Sequence, residues 1–133
     1  MLGEQIAEGR GKRTGRRVLE TEPTFKVEVS FEESSKVLGV DGVTIVTYRS
    51  WNRPDGSLVG EGEAVFASFE GDTVTWRGIG TGRFGEGGAV SYRGCLIYNT
   101  AAAKLARLNT LAGVFEFEVD AEGNTHSKIW AWS

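Results

Sequence analysis

The chain has 133 residues, with 19 Gly, 2 Pro, 1 Cys, 1 His, 4 Trp, 3 Tyr and 7 Phe, and a formal net charge of −3. One cysteine and one histidine exclude an internal disulfide, a multi-Cys metal site and a His-rich zinc site, so neither a metal nor a cofactor is expected. No apolar run approaches the roughly 20 residues of a membrane-spanning helix, and the opening segment lacks the apolar core of a secretory signal; a cytoplasmic protein of one domain, residues 1–133, is the expectation.

The chain opens on a basic stretch, Arg10, Lys12, Arg13, Arg16 and Arg17. From residue 18 onward, 10 Lys/Arg face 16 Asp/Glu, a net of −6. Residues 1–17 are therefore expected to form a solvated basic arm. Binding of an anionic partner is the alternative, and the lack of interleaved aromatics argues against nucleic acid.

Strand signals follow in order. Gly15–Glu20 reads as a short strand. Phe25, Val27, Val29 and Phe31 alternate with polar residues, which is the period-two pattern of a half-buried strand. Gly42–Trp51 is rich in β-branched and aromatic residues. Arg53-Pro54-Asp55-Gly56 is a turn, with proline presetting φ and glycine supplying a permissive position. Leu58–Phe69 and Thr73–Phe84 form a hairpin, and Ala89–Asn99 runs back. Thr100–Asn109 is alanine-rich, with Ala101, Leu105 and Leu108 at helical spacing, and reads as a short helix capped by Thr100. Ala112–Val119 and Thr125–Trp132 make a last hairpin.

Eight sequential strands with short turns favour a meander, and closure removes two exposed edges. The predicted fold is all-β: a single eight-stranded antiparallel up-and-down β-barrel with one short helix near residues 100–109. Glycine supports closure. Its share is about twice the usual 7%, and Gly60, Gly62, Gly78, Gly80, Gly82, Gly88 and Gly94 share strand faces with large apolar residues. Such placement suits a tightly curved wall.

Two orientations of that wall are open. With the glycine/aromatic face inside, which the recurrence of Val, Trp, Leu and Phe favours, the core holds Phe66, Trp76, Tyr92 and Tyr98. Glu61, Glu63, Arg77 and Arg93 then form charge ladders outside. With the other face inside, those charges line a polar lumen with Val65, Ile79, Cys95 and Asn99.

Each orientation nominates different chemistry. In a polar lumen, Glu61 is the candidate base and Arg93 the anion stabiliser of a proton-transfer site; the competing reading is a cross-strand salt-bridge ladder. With the aromatic face inside, Trp76, Tyr92 and Tyr98 are candidate ligand-binding residues with hydroxyl donors; ordinary core packing competes. Trp130 and Trp132 share a face with His126 and Lys128 and suggest either a subunit contact or barrel closure. His126 reads as a surface histidine and Cys95 as a small buried hydrophobe. GIGTGRFGEGG lacks the context of a phosphate-binding loop.

The segment IGTGRFGEGGAVSYRG resembles an element of barrels related to allene oxide cyclase and dirigent proteins, where a glycine-bearing strand leads through a tight turn to another glycine and a long return strand. Gly80, Gly82 and Phe84 match its first part, and Gly87 or Gly88 its second. LAGVFEFEVDAEG is similar to the closing hairpin of bacterial proteins of this type. The resemblance implies a barrel that binds a hydrophobic or oxygenated small molecule without a cofactor, in some members isomerising or cyclising it, and assembly as a homodimer or homotrimer. It supplies no matching set of catalytic residues. A non-catalytic carrier and a structural barrel filled with side chains are the competing functions.

Overall fold

A computed structural model describes residues 2–133. Eight strands follow in chain order: β1 (Gln5–Glu20), β2 (Lys26–Val37), β3 (Val40–Asn52), β4 (Leu58–Ser68), β5 (Thr73–Phe84), β6 (Val90–Thr100), β7 (Ala112–Val119) and β8 (Asn124–Trp132). Each pairs antiparallel with its neighbour in sequence, and β1 also pairs with β8, so the sheet closes into an up-and-down barrel.

Period-two alternation sets which residues face inward. On β4, Leu58, Gly60, Gly62, Ala64, Phe66 and Ser68 are buried, while Glu61, Glu63 and Val65 lie outside. The glycine/aromatic face is thus the inner one. The glycines give large side chains room to lie across the neighbouring strands. A Cβ on Gly82 would stand 2.6 Å from the Tyr92 ring, and one on Gly60 would stand 2.9 Å from it. Phe115 lies over Gly94 and Gly80 in the same way, where added Cβ atoms would come within 2.8 and 2.9 Å of its ring tip. Each large residue therefore fills a space that alanine would close.

One end of the barrel is plugged. A 3-10 helix, Ala103–Thr110, follows β6 and buries Leu105 and Leu108. With Leu111 they are spaced by three, which matches the three residues per turn of a 3-10 helix. This corrects the expected start and cap. Thr100 is the last residue of β6, and the helix begins after Ala102, which makes no side-chain cap. Thr100 instead donates to the Thr73 carbonyl at 2.7 Å, and Asn109 brackets the Thr100 backbone through its amide.

The expected N-terminal arm is also corrected. Residues from Gln5 onward belong to β1 and close the barrel against β8 as far as Lys12↔Asn124. Beyond that, β1 pairs only with β2, out to Glu20↔Lys26. Arg13 still donates its backbone N–H to the Gly123 carbonyl at 2.8 Å, while Arg16 and Arg17 sit on a hairpin that outruns the closed wall, and Arg17 pairs with Glu28 at 3.3 Å.

Candidate functional site

The buried side chains form two clusters. One, at the plugged end, includes Phe66, Leu96, Tyr98, Leu105, Leu108 and Ile129. The other includes Phe31, Val46, Leu58, Tyr92 and Phe117. Trp76 and Phe115 pack against both. Members of both clusters line a central cavity of about 80 Å³. One water needs roughly 10–15 Å³, so the space exceeds a single water site.

The cavity wall is mostly aromatic and aliphatic. Phe31 and Phe117 stack with centroids 4.7 Å apart, and Tyr48 meets Phe31, Tyr92 and Phe117 edge-on at 5.7–6.0 Å. Polar atoms enter at a few points. Tyr92 and Ser50 place their hydroxyl oxygens 2.6 Å apart. Tyr98 lines the cavity with its hydroxyl buried and without a hydrogen-bond partner among the described residues. Burial pushes all three phenols of Tyr48, Tyr92 and Tyr98 up, which keeps them protonated donors.

The opposite wall carries a carboxyl group. Glu33 is 4% exposed. Its Oε2 accepts hydrogen bonds from Thr125 Oγ1 at 2.8 Å and Ser127 Oγ at 2.9 Å. The bonds run from β2 to β8 across β1, and glycine makes the crossing possible. A Cβ on Gly9 would stand 2.6 Å from Glu33 Oε1. Beside them, Thr44 donates to Ser35 at 2.8 Å. Burial raises the Glu33 pKa, and the Thr125 and Ser127 bonds and the nearby His126 offset part of that rise.

Of the residues singled out in the sequence, Trp76, Tyr92 and Tyr98 converge on the cavity. Glu61 and Arg93 do not join them, because strand alternation places them on the outer face. Their side chains are 45% and 47% exposed. Arg49 lies 3.8 Å from Glu61 and 2.9 Å from Glu63, while Arg93 lies 2.9 Å from Glu118 and 3.9 Å from Glu116. These are solvent-exposed ladders of the kind worth about 0–1 kcal/mol per pair. His126 also points outward and meets Glu8 at 2.7 Å. Cys95 is exposed, not buried as expected, because Gly94 and Leu96 take the inward positions around it. Among the described residues, no group of His, Cys, Asp and Glu could hold a metal ion.

Sequence reading missed Glu33. The signal was present: the inward series Val27, Val29, Phe31 continues at the same period through Glu33 and Ser35 to Val37.

No protein-family model and no curated protein matches the chain. Solved structures do. A protein of unknown function from Clostridium acetobutylicum ATCC 824 superposes with a TM-score of 0.84 at 12% identity, over 100% of both chains. A conserved protein of unknown function from Rhodopseudomonas palustris gives 0.81 at 14% identity, over 99% of both. A beta-barrel like protein from Acinetobacter baumannii AYE gives 0.81 at 9% identity, over 98% of this chain and 94% of that one. The likeness is one of fold. It places the chain among small β-barrel proteins.

Proposed function

We propose that the protein is a small-molecule-binding barrel whose ligand occupies the central cavity. The observation that carries this is Tyr98, a residue of the cavity wall whose hydroxyl is buried without a hydrogen-bond partner among the described residues. Such a group costs about 1–3 kcal/mol when left unsatisfied, and a ligand oxygen or nitrogen would satisfy it. Trp76 and Tyr92 supply apolar area around it, and the unpaired hydroxyl fixes orientation. The similarity of the Gly80–Phe84 segment to allene oxide cyclase and dirigent barrels supports the same class of ligand, hydrophobic with a polar atom. The catalytic form of this function is cofactor-independent isomerisation or cyclisation, with the wall holding a flexible substrate in one conformation. Glu61 and Arg93 have no part in it, since both face solvent.

Self-association into a dimer or trimer belongs to the same proposal. It is supported by an outward row in register across four strands, Ile79, Cys95, Val114 and Trp130, flanked by exposed Ile97 and Trp132.

The test is tryptophan fluorescence with a panel of small apolar alcohols, ketones and amines, with Trp76→Phe used to assign the signal. Saturable quenching that Trp76→Phe removes and Tyr98→Phe weakens is expected. A panel without a saturable binder overturns the proposal.

A further inference from the structure

Glu33 is a buried acid without a counter-ion. None of the arginine and lysine ion pairs among the described residues includes it. Its two hydroxyl donors both bond Oε2, so Oε1 accepts from neither of them. Burying a carboxylate costs heavily unless it is paired and fully hydrogen-bonded. A functionless core would be served better by an apolar residue at position 33, which continues the run of Val29 and Phe31. The cavity lined by Glu33 contains no lysine, arginine or histidine. Its remaining wall offers aromatic faces, including Trp76, Phe115 and Phe117. Glu8, the other acid of the lining, is partly exposed and bonds His126, so one buried acid, no base and several aromatic faces are complementary to a compact organic cation.

From this juxtaposition we infer that the cavity takes a small protonated amine, with its ammonium group on Glu33 Oε1 and its alkyl part against Trp76, Phe115 and Phe117. The inference rests on the cavity being a ligand site. It excludes carboxylates and phosphates, which would meet an acid and find no base. Binding is coupled to ionisation, since the cation favours the charged form of Glu33 that burial disfavours.

Few charged or titratable groups act on Glu33 besides the ligand. On β8, His126 lies on the outer face and exerts a small field. On β1, Glu8 bonds His126, and Arg13 sits beside Gly123. On β3, Tyr48 is held protonated by burial.

The experiment compares n-butylamine, 1-butanol and butyrate by calorimetric titration into the full chain. Butylamine is expected to bind at least about tenfold tighter than butanol, a ratio equivalent to about 1.4 kcal/mol, and butyrate not at all. Glu33→Gln should abolish the preference for amine over butanol. In the wild type, which needs no variant to fold, amine affinity should rise from acidic to neutral pH. Butanol or butyrate binding as tightly as butylamine overturns the amine assignment and leaves a ligand cavity standing. Retention of the preference in Glu33→Gln also overturns it. A wild type that binds none of the three contradicts both the amine assignment and the cavity as a ligand site.

Discussion

Tyr92 on β6 reaches Ser50 on β3 across two intervening strands, and their hydroxyl oxygens lie 2.6 Å apart. The ring passes over Gly82 on β5 and Gly60 on β4, where any Cβ would meet it. The hydrogen bond satisfies two buried hydroxyls at once. Ser50→Ala or Tyr92→Phe leaves one of them unpaired, which costs about 1–3 kcal/mol. The double variant should cost less than the sum of the singles, because it leaves neither group stranded. Urea unfolding of the four proteins measures this.

The glycine floors predict a contrast within one residue type. Gly82→Ala pushes a methyl to 2.6 Å from the Tyr92 ring and should destabilise by about 1–3 kcal/mol, as overpacking does. Gly15→Ala meets nothing within 4 Å. It should be neutral or stabilising by about 0.4–1 kcal/mol through the unfolded chain. Paired urea midpoints for the two variants decide the matter; equal effects would contradict the role assigned to Gly82.

Tyr98 and Tyr92 should respond oppositely to loss of the hydroxyl. Tyr98→Phe removes a buried group without a partner among the described residues and is expected to leave the free protein unchanged or about 1 kcal/mol more stable. Tyr92→Phe breaks a made bond and destabilises. Thermal melts of the ligand-free proteins separate the two.

Glu33 sets a pH dependence of stability. Burial raises its pKa in the folded chain above the ordinary 4.5, so the folded protein holds the proton to higher pH than the unfolded chain does. Stability from this group is full below 4.5 and falls as pH rises through the raised value. Glu8 acts in the opposite sense. Its pKa is lowered, chiefly by its bond to His126, so its contribution is present above 4.5 and lost as pH falls. Subtracting the wild-type stability profile from that of Glu33→Gln cancels the Glu8 term. The advantage of Glu33→Gln should grow from acidic to neutral pH, as read by urea unfolding at each pH. A flat difference would contradict the burial cost assigned to Glu33.

Much of the barrel was legible because strand alternation and turn residues are local. The hairpin of β4 and β5 is visible in Leu58–Phe69 and Thr73–Phe84, and the same period already placed Glu61 and Tyr92 on opposite faces. The first half of β1 was not visible. There Gly9 and Gly11 face inward between Glu8, Arg10 and Lys12, so the alternation is glycine against charge and carries no apolar signal. Only its pairing with β2 and β8, remote in sequence, makes it a strand. Glu33 was overlooked for a related reason. A charged residue on an inner face reads as the end of a strand, and what stabilises it, Thr125 and Ser127, lies more than 90 residues away. The short helix was legible in its segment, but its start at Ala103 was not, since Leu105, Leu108 and Leu111 fit a three-residue repeat as well as the wider helical spacing from Ala101.

The ligand is held in the interior, and not on the outer sheet face, if the cavity is the binding site proposed above. Methyl-resolved NMR during butylamine and butanol titrations tests it most directly. Intermolecular contacts and shift changes are expected at inward-facing Leu96 and Ile129 and at the Trp76 ring, with Ile79 and Ile97 on the outer face unmoved. Changes confined to Ile79 and Ile97, or no change at saturating ligand, would contradict it.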